Sequence, residues 1–152
     1  MDEFLQSKQF IFGSIFLLAN KLQLLGDKVT QELTLKQWLL LNMLMHHTKD
    51  KPNFNDIAKI MGVTRQNVIK MINLLEHKGF VELHESTVDH RSTEVTLTKE
   101  TFDYFNKKQD VGNLFLNDLF HLFSEEDLSS LKKLLMKIQD NIYQLSKEEV
   151  HG

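Results

Sequence analysis

A mainly α chain carrying a small two- or three-stranded β wing is predicted by three observations on the 152-residue sequence. Apolar residues recur at helical spacing in two short neighbouring segments separated at Gly62. Gly79 then stops the second segment. Beyond it the apolar period changes from 3.6 to 2 over two runs joined by a polar tip. Helix, turn, helix and two strands in that order form a winged helix-turn-helix, which lays its second helix in the DNA major groove. Amphipathic segments flank it on both sides, and they are read as N- and C-terminal dimerisation helices.

The first of these runs from Phe4 to Leu25, with Phe10, Ile11, Ile15, Leu18, Ala19, Leu22 and Leu25 spread over more than one face. So wide an apolar arc calls for more than one packing partner. Phe10 to Ala19 is the most apolar stretch, but Gly13 and Ser14 interrupt it and it falls short of the ~20 residues of a spanning helix. No basic region precedes it, so neither a signal peptide nor membrane association is expected. A second helix is expected over Thr34 to His47, with Thr34 as cap and Leu35, Trp38, Leu39, Leu41 and Met45 facing inward. Asp50 to Asn53, which holds the single proline, separates it from the helix-turn-helix.

In the next helix Ile57, Ala58 and Met61 line up behind Phe54, while Asp56, Lys59 and Ile60 turn away. Thr64 then caps a helix whose Val68, Met71, Ile72 and Leu75 face inward at i, i+3, i+4 and i+7. The opposite side carries Arg65, Gln66, Asn67, Lys70 and Asn73, nearly all hydrogen-bonding groups. Val81 and Leu83, then Val95 and Leu97, alternate with polar residues as two half-buried strands. Ser86 to Thr93 between them is polar, too long for a two-residue turn, and carries Asp89, His90 and Arg91.

After the wing a long helix is expected from Glu100 to Glu125, with Phe102, Phe105, Leu116, Leu119, Phe120 and Phe123 inward and a bend at Gly112. Ser124 to Asp127 forms a capping box, followed by a stripe of Leu128, Leu131, Leu134, Leu135, Ile138, Ile142 and Leu145. The organisation is therefore residues 34–99 as the winged helix-turn-helix, with 1–33 and 100–152 as the helical dimerisation region. The flanking stripes exceed what a winged helix of some fifty residues covers, and a two-fold dimer is the economical solution. Such a dimer sets two recognition helices about one DNA turn apart, roughly 34 Å, suited to a palindrome.

Apolar and charged fractions of 41% and 26% are those of ordinary globular proteins, which removes most of the weight from disordered and membrane classes. With no cysteine there is no disulfide and no thiol chemistry, which suits the cytoplasm. Net charge is −3, unevenly divided: basic and acidic residues number 4 and 4 over 1–47, 8 and 7 over 48–99, and 6 and 10 over 100–152. The acidity lies in the last third, and the middle segment is close to neutral. Arg65, Lys70 and Arg91 share one face in the winged reading, and local field outweighs net charge.

Gln66 and Asn67 carry amides that pair bidentately with adenine, and Arg65 can pair with guanine or grip a phosphate. Lys70, one turn on, suits a phosphate. The competing reading of this set is a solvated helix face. Phe12, Phe16, Trp38 and Met43 are candidates for an effector pocket between helices, with plain core as the alternative. His46, His47, His121 and His151 lack a tight ligand spacing, so neither a metal nor a cofactor is expected. No glycine-rich phosphate loop, Gly-x-Ser-x-Gly elbow or cysteine nucleophile is present, and no enzyme is expected.

With these residues in view, the chain resembles the MarR family of winged-helix regulators. Leu33-Thr34-Leu35-Lys36-Gln37-Trp38 looks like that family's start of its second helix, Asn55-Asp56-Ile57-Ala58 like its third, and Val63 to Gly79 like its recognition helix. Gly79-Phe80-Val81-Glu82, Asp89-His90-Arg91 and Val95-Thr96-Leu97-Thr98 are similar to its wing, and Ser124 to Leu128 to the start of its last helix. The resemblance implies a homodimer on double-stranded DNA, a repressor of a palindromic operator released by a small aromatic or amphipathic effector. By position it makes Arg91 the wing arginine of the minor groove and Asp89 the carboxylate that orients it. Many members have further arginines where this chain has Leu74, His84, Glu85, Ser92 and Glu94. The rival expectation is a winged-helix adaptor or anti-repressor that binds protein and lacks strong DNA binding.

Overall fold

The computed structural model describes residues 2–46 and 51–151. The expected end of the second helix at His47, the break at Asp50 and the side chain of His151 lie outside the described residues. Among the described residues eight elements occur in the order α1 (Glu3–Thr30), α2 (Leu35–His46), α3 (Phe54–Met61), α4 (Arg65–His77), β1 (Val81–Glu85), β2 (Thr93–Leu97), α5 (Lys99–Leu119) and α6 (Glu125–His151). The chain divides into two compact units, Met1–Gly112 and Asn113–Gly152.

The first unit is built around Leu33, Leu40, Leu41, Ile57, Val68, Ile72, Leu75, Phe80, Val81, Val95 and Tyr104. Of the inward stripe expected of α4, Val68, Ile72 and Leu75 retain no exposure and Met71 is half-buried. In α2 the expected phase is partly wrong: Leu40 and Leu41 are fully buried, whereas Leu39 is 42% exposed. The nearly continuous apolar run from Trp38 to Met45 carries no phase of its own, and packing against neighbouring elements selects the buried side. β1 and β2 pair antiparallel from Val81 with Leu97 to Glu85 with Thr93, and an isolated bridge joins Asn53 to Glu94. The wing is therefore two-stranded with one added bridge.

Both ends of α3 and the end of α4 have visible causes. Asn53 and Asp56 form a reciprocal capping box at the start of α3, with N–H to oxygen distances of 3.1 and 2.9 Å. Gly62, at φ 67°, ends it in the left-handed region. Gly79, at φ 84°, comes just after α4. The Phe80 N–H donates to the Leu75 carbonyl and the Gly79 N–H to the Glu76 carbonyl, both at 2.9 Å, the paired bonds of a Schellman stop.

Two boundaries depart from expectation. α1 runs unbroken through Gly13, Ser14 and Gly26 to Thr30, because one helical glycine costs only about 1 kcal/mol and its neighbours are good helix formers. By length and composition α1 therefore suffices to cross a membrane, contrary to the shorter apolar stretch expected. α5 continues through Gly112, where the first unit ends, and stops at Leu119 instead of reaching Glu125. Leu122 there takes φ 73°, a left-handed stop without glycine.

In the second unit Ser124 and Asp127 complete the predicted capping box, the Ser124 N–H donating to Asp127 Oδ2 at 2.9 Å and the Asp127 N–H to Ser124 Oγ at 3.0 Å. The Ser124 N–H, then its hydroxyl, hold the Asp127 carboxyl below its usual value. The stripe on α6 forms as expected, and Leu134, Leu135, Ile142 and Leu145 stand exposed.

The part of α5 that lies within the first unit is held there by polar groups that periodicity does not reveal. Thr101 is fully buried and its hydroxyl donates to the Phe80 carbonyl. Tyr104 is 6% exposed and its hydroxyl donates to the Thr30 carbonyl at 2.9 Å. Burial, then the nearby Glu32 carboxylate, pushes the Tyr104 phenol up to about 12. The folded value lies above the unfolded one, so this stabilisation is complete below pH ~10 and is lost as pH rises through about 12. We expect melting temperature to fall across that interval, by on the order of 2–3 kcal/mol of stability, and the fall to be shallower in Tyr104→Phe. Equal descents in the two proteins would remove Tyr104 from the alkaline transition.

Candidate nucleic-acid interface

The exposed face of α4 is opened by Thr64, whose side-chain oxygen accepts the Asn67 N–H at 3.2 Å. That cap satisfies one orphan donor and fixes where the helix begins. Arg65, Gln66, Asn67 and Lys70 are all exposed, while Val68 between them is fully buried. The helix thus offers two amides and two cations on a rigid underlay. Among the described residues the side chains of Gln66, Asn67 and Lys70 make no hydrogen bond or ion pair with the rest of the protein. Their hydrogen-bonding groups face solvent.

Arg65 is placed differently from its neighbours. Its guanidinium lies over the Phe54 ring, 5.7 Å from the centroid, so the first residue of α4 rests on the first residue of α3. The arrangement keeps the cation at the turn between the two helices. Phe54 was expected only as core, and its half-exposed ring is the feature that could have suggested a seat for a cation.

At the wing tip the backbone is shaped by short polar side chains. Ser86 is buried, and its hydroxyl accepts the N–H groups of Val88 at 3.3 Å and Asp89 at 3.2 Å. Asp89 Oδ1 accepts the backbone N–H of Arg91 at 3.0 Å, and the Asp89 carbonyl accepts the Ser92 N–H at 2.9 Å. Asp89 thus orders the loop under Arg91 and makes no ion pair with its guanidinium. That guanidinium is exposed and free of ion pairs among the described residues. Two histidine–carboxylate contacts flank it, His90 Nδ1 to Glu85 Oε1 at 3.2 Å and His84 Nε2 to Glu82 at 3.6 Å. Ser86 was not singled out in the sequence, although a serine opening a polar tip is a common turn former.

The four aromatic and methionine candidates form no single cluster of rings. Phe12 and Phe16 meet edge to face at 5.2 Å on α1, 67% and 60% exposed. Trp38 packs on Phe105 at 5.9 Å, and Met43 is half-buried on α2. Among the described residues no ring contact joins the two pairs.

Comparison with known proteins agrees with this geometry. Residues 31–92, which span α2, both helices of the helix-turn-helix and most of the wing, match the MarR family. The fold is shared with a MarR/EmrR family transcriptional regulator from Acinetobacter sp. ADP1 at 21% identity, covering 90% of this chain and 97% of that one, with a TM-score of 0.78. It is also shared with S. aureus MepR, solved as a DNA complex, at 22% identity, 86% and 97% coverage and a TM-score of 0.75. A MarR family regulator from Streptomyces coelicolor, likewise in complex with DNA, matches at 18% identity, 90% and 91% coverage and a TM-score of 0.77.

Proposed function

We infer, from a chain that matches the MarR family over residues 31–92 and has the fold of MarR regulators, that this protein is a cytoplasmic DNA-binding transcriptional repressor. It reads a palindromic operator as a homodimer and is released by a small aromatic or amphipathic effector. One observation carries the reading: Gln66, Asn67 and Lys70 stand exposed on a capped, well-packed helix with no partner within the described chain. Two of the matched structures are DNA complexes, which supports the same use of the fold.

In this reading the amides of Gln66 and Asn67 pair with base edges in the major groove. Arg65 and Lys70 hold phosphates or guanine beside them. Arg91, raised on a loop ordered by Asp89, enters the minor groove. The homodimer is supported by α1, where Phe10 is 75% exposed and Leu24 70%, and by the separately exposed stripe of α6. Apolar faces of that size require a cover, and a second copy supplies the same face by symmetry.

Fluorescence anisotropy with DNA from the protein's own upstream region tests these parts together. We expect steeply salt-dependent, sequence-dependent binding that saturates at two chains per duplex and is reversed by a small aromatic or amphipathic compound. Gln66→Ala alters base preference by about tenfold while leaving the melting temperature unchanged. Weak binding equal to random DNA would instead support the protein-binding adaptor, which the near balance of 8 basic and 7 acidic residues over 48–99 favours. Saturation at one chain per duplex would remove the dimer.

A further inference from the structure

The residue that caps the C-terminal end of α4 reaches far outside its own helix. Lys78, the C-cap, extends its ammonium to the Glu32 carbonyl at 2.9 Å and to Gln37 Oε1 at 3.4 Å. The segment it reaches is an unusual turn. Gln31 takes φ 55° and ψ −72°, and the Glu32 N–H donates to the Thr30 carbonyl at 2.7 Å across it. That is a γ-turn of the positive-φ kind, rare and strained in any residue but glycine.

Such a conformation persists only where its surroundings over-determine it. Here three side chains from two other helices do so. Tyr104 Oη donates to the Thr30 carbonyl at 2.9 Å, Lys108 Nζ reaches Gln31 Oε1 at 3.3 Å, and Lys78 takes the Glu32 carbonyl. Gln37, the second acceptor of Lys78, is itself buried and locked, its Oε1 accepting the Thr34 N–H at 3.1 Å while Thr34 Oγ1 accepts its N–H at 3.2 Å. The joint between α1 and α2 is thus held by side chains of α5, and the end of α4 is tied to it through an exposed lysine.

We propose that Lys78, through its tether to the strained Thr30–Glu32 turn, is a positioning residue that sets the pose of α4 on DNA. The proposal rests on α4 being the DNA-reading helix. At 1.5 Å per residue, Gln66 stands roughly 18 Å from Lys78 along the axis. A tilt of about 5° at the tethered end moves the amide by ~1.5 Å, enough to break a hydrogen bond to a base edge. The core fixes the depth of the helix, and the tether fixes its pitch.

The test is operator binding by Lys78→Met and Lys78→Arg across a salt series, with melting temperature and amide exchange read on the same proteins. Lys78→Met keeps the aliphatic stem and removes the donor. We expect its operator affinity to fall about tenfold with an unchanged salt slope, and amides in the last turn of α4 to exchange faster. Lys78→Arg, which restores a cationic donor, should stay within about threefold of wild type. A slope reduced by about one unit would mean that Lys78 grips a phosphate, which overturns the proposal. Unchanged affinity, or a lower melting temperature with normal affinity in the folded protein, overturns it equally. A wild-type protein that binds no operator removes the DNA reading and this inference with it, whereas normal wild-type binding with an indifferent Lys78→Met removes the inference alone.

Discussion

Arg91→Ala is expected to weaken binding to every DNA sequence alike, on the order of thirtyfold, and to flatten the salt dependence by about one unit. The expectation comes from where the side chain stands. Its guanidinium is exposed at the wing tip and unpaired among the described residues, while the loop beneath is ordered by Asp89 and by buried Ser86. Removing so exposed a side chain costs the fold little. A cation in the minor groove reads shape and charge more than base identity, so the loss should be uniform. This separates it from Gln66→Ala, whose effect depends on the base it faces. An unchanged slope for Arg91→Ala would assign the arginine to the solvated surface.

Ile72→Ala should do the reverse, damaging the fold first and DNA binding through it. Ile72 has no exposure and lies in the middle of the inward stripe of α4. Truncation removes about 2–5 kcal/mol by lost burial and the cavity left behind, or roughly 10 °C of melting temperature in a chain of this size. At temperatures where the variant is still folded, affinity should recover to within a few-fold of wild type. A loss of DNA binding that persists well below its melting temperature would show that the inward face sets the surface of α4 more directly than packing alone requires.

How legible the chain was depended on whether a local rule or a distant partner decided each feature. α4 and its cap, the Gly79 stop, the two wing strands and the Ser124 box are local: alternation, spacing and cap chemistry state them within a few residues. The buried side of α2 is not local, since Leu39, Leu40 and Leu41 are equally apolar and only contacts elsewhere choose among them. Thr101 and Tyr104 are polar residues in the core because a carbonyl awaits each one, at Phe80 and Thr30 respectively. The reach of Lys78 to Glu32 crosses 46 positions and leaves no trace in either neighbourhood. Within the candidate site, the outward set on α4 and the wing arginine were readable from position. The seat of Arg65 on Phe54 was not, because it depends on how two helices meet.

The long apolar face of α1 also bears on abundance. If a second copy is what covers that face, pairing and folding draw on one free energy, and mass action governs both. Thermal stability should then climb with protein concentration. A cell holding few copies would have fewer covered faces, so the paired form would fade more steeply than copy number as the protein is diluted through growth.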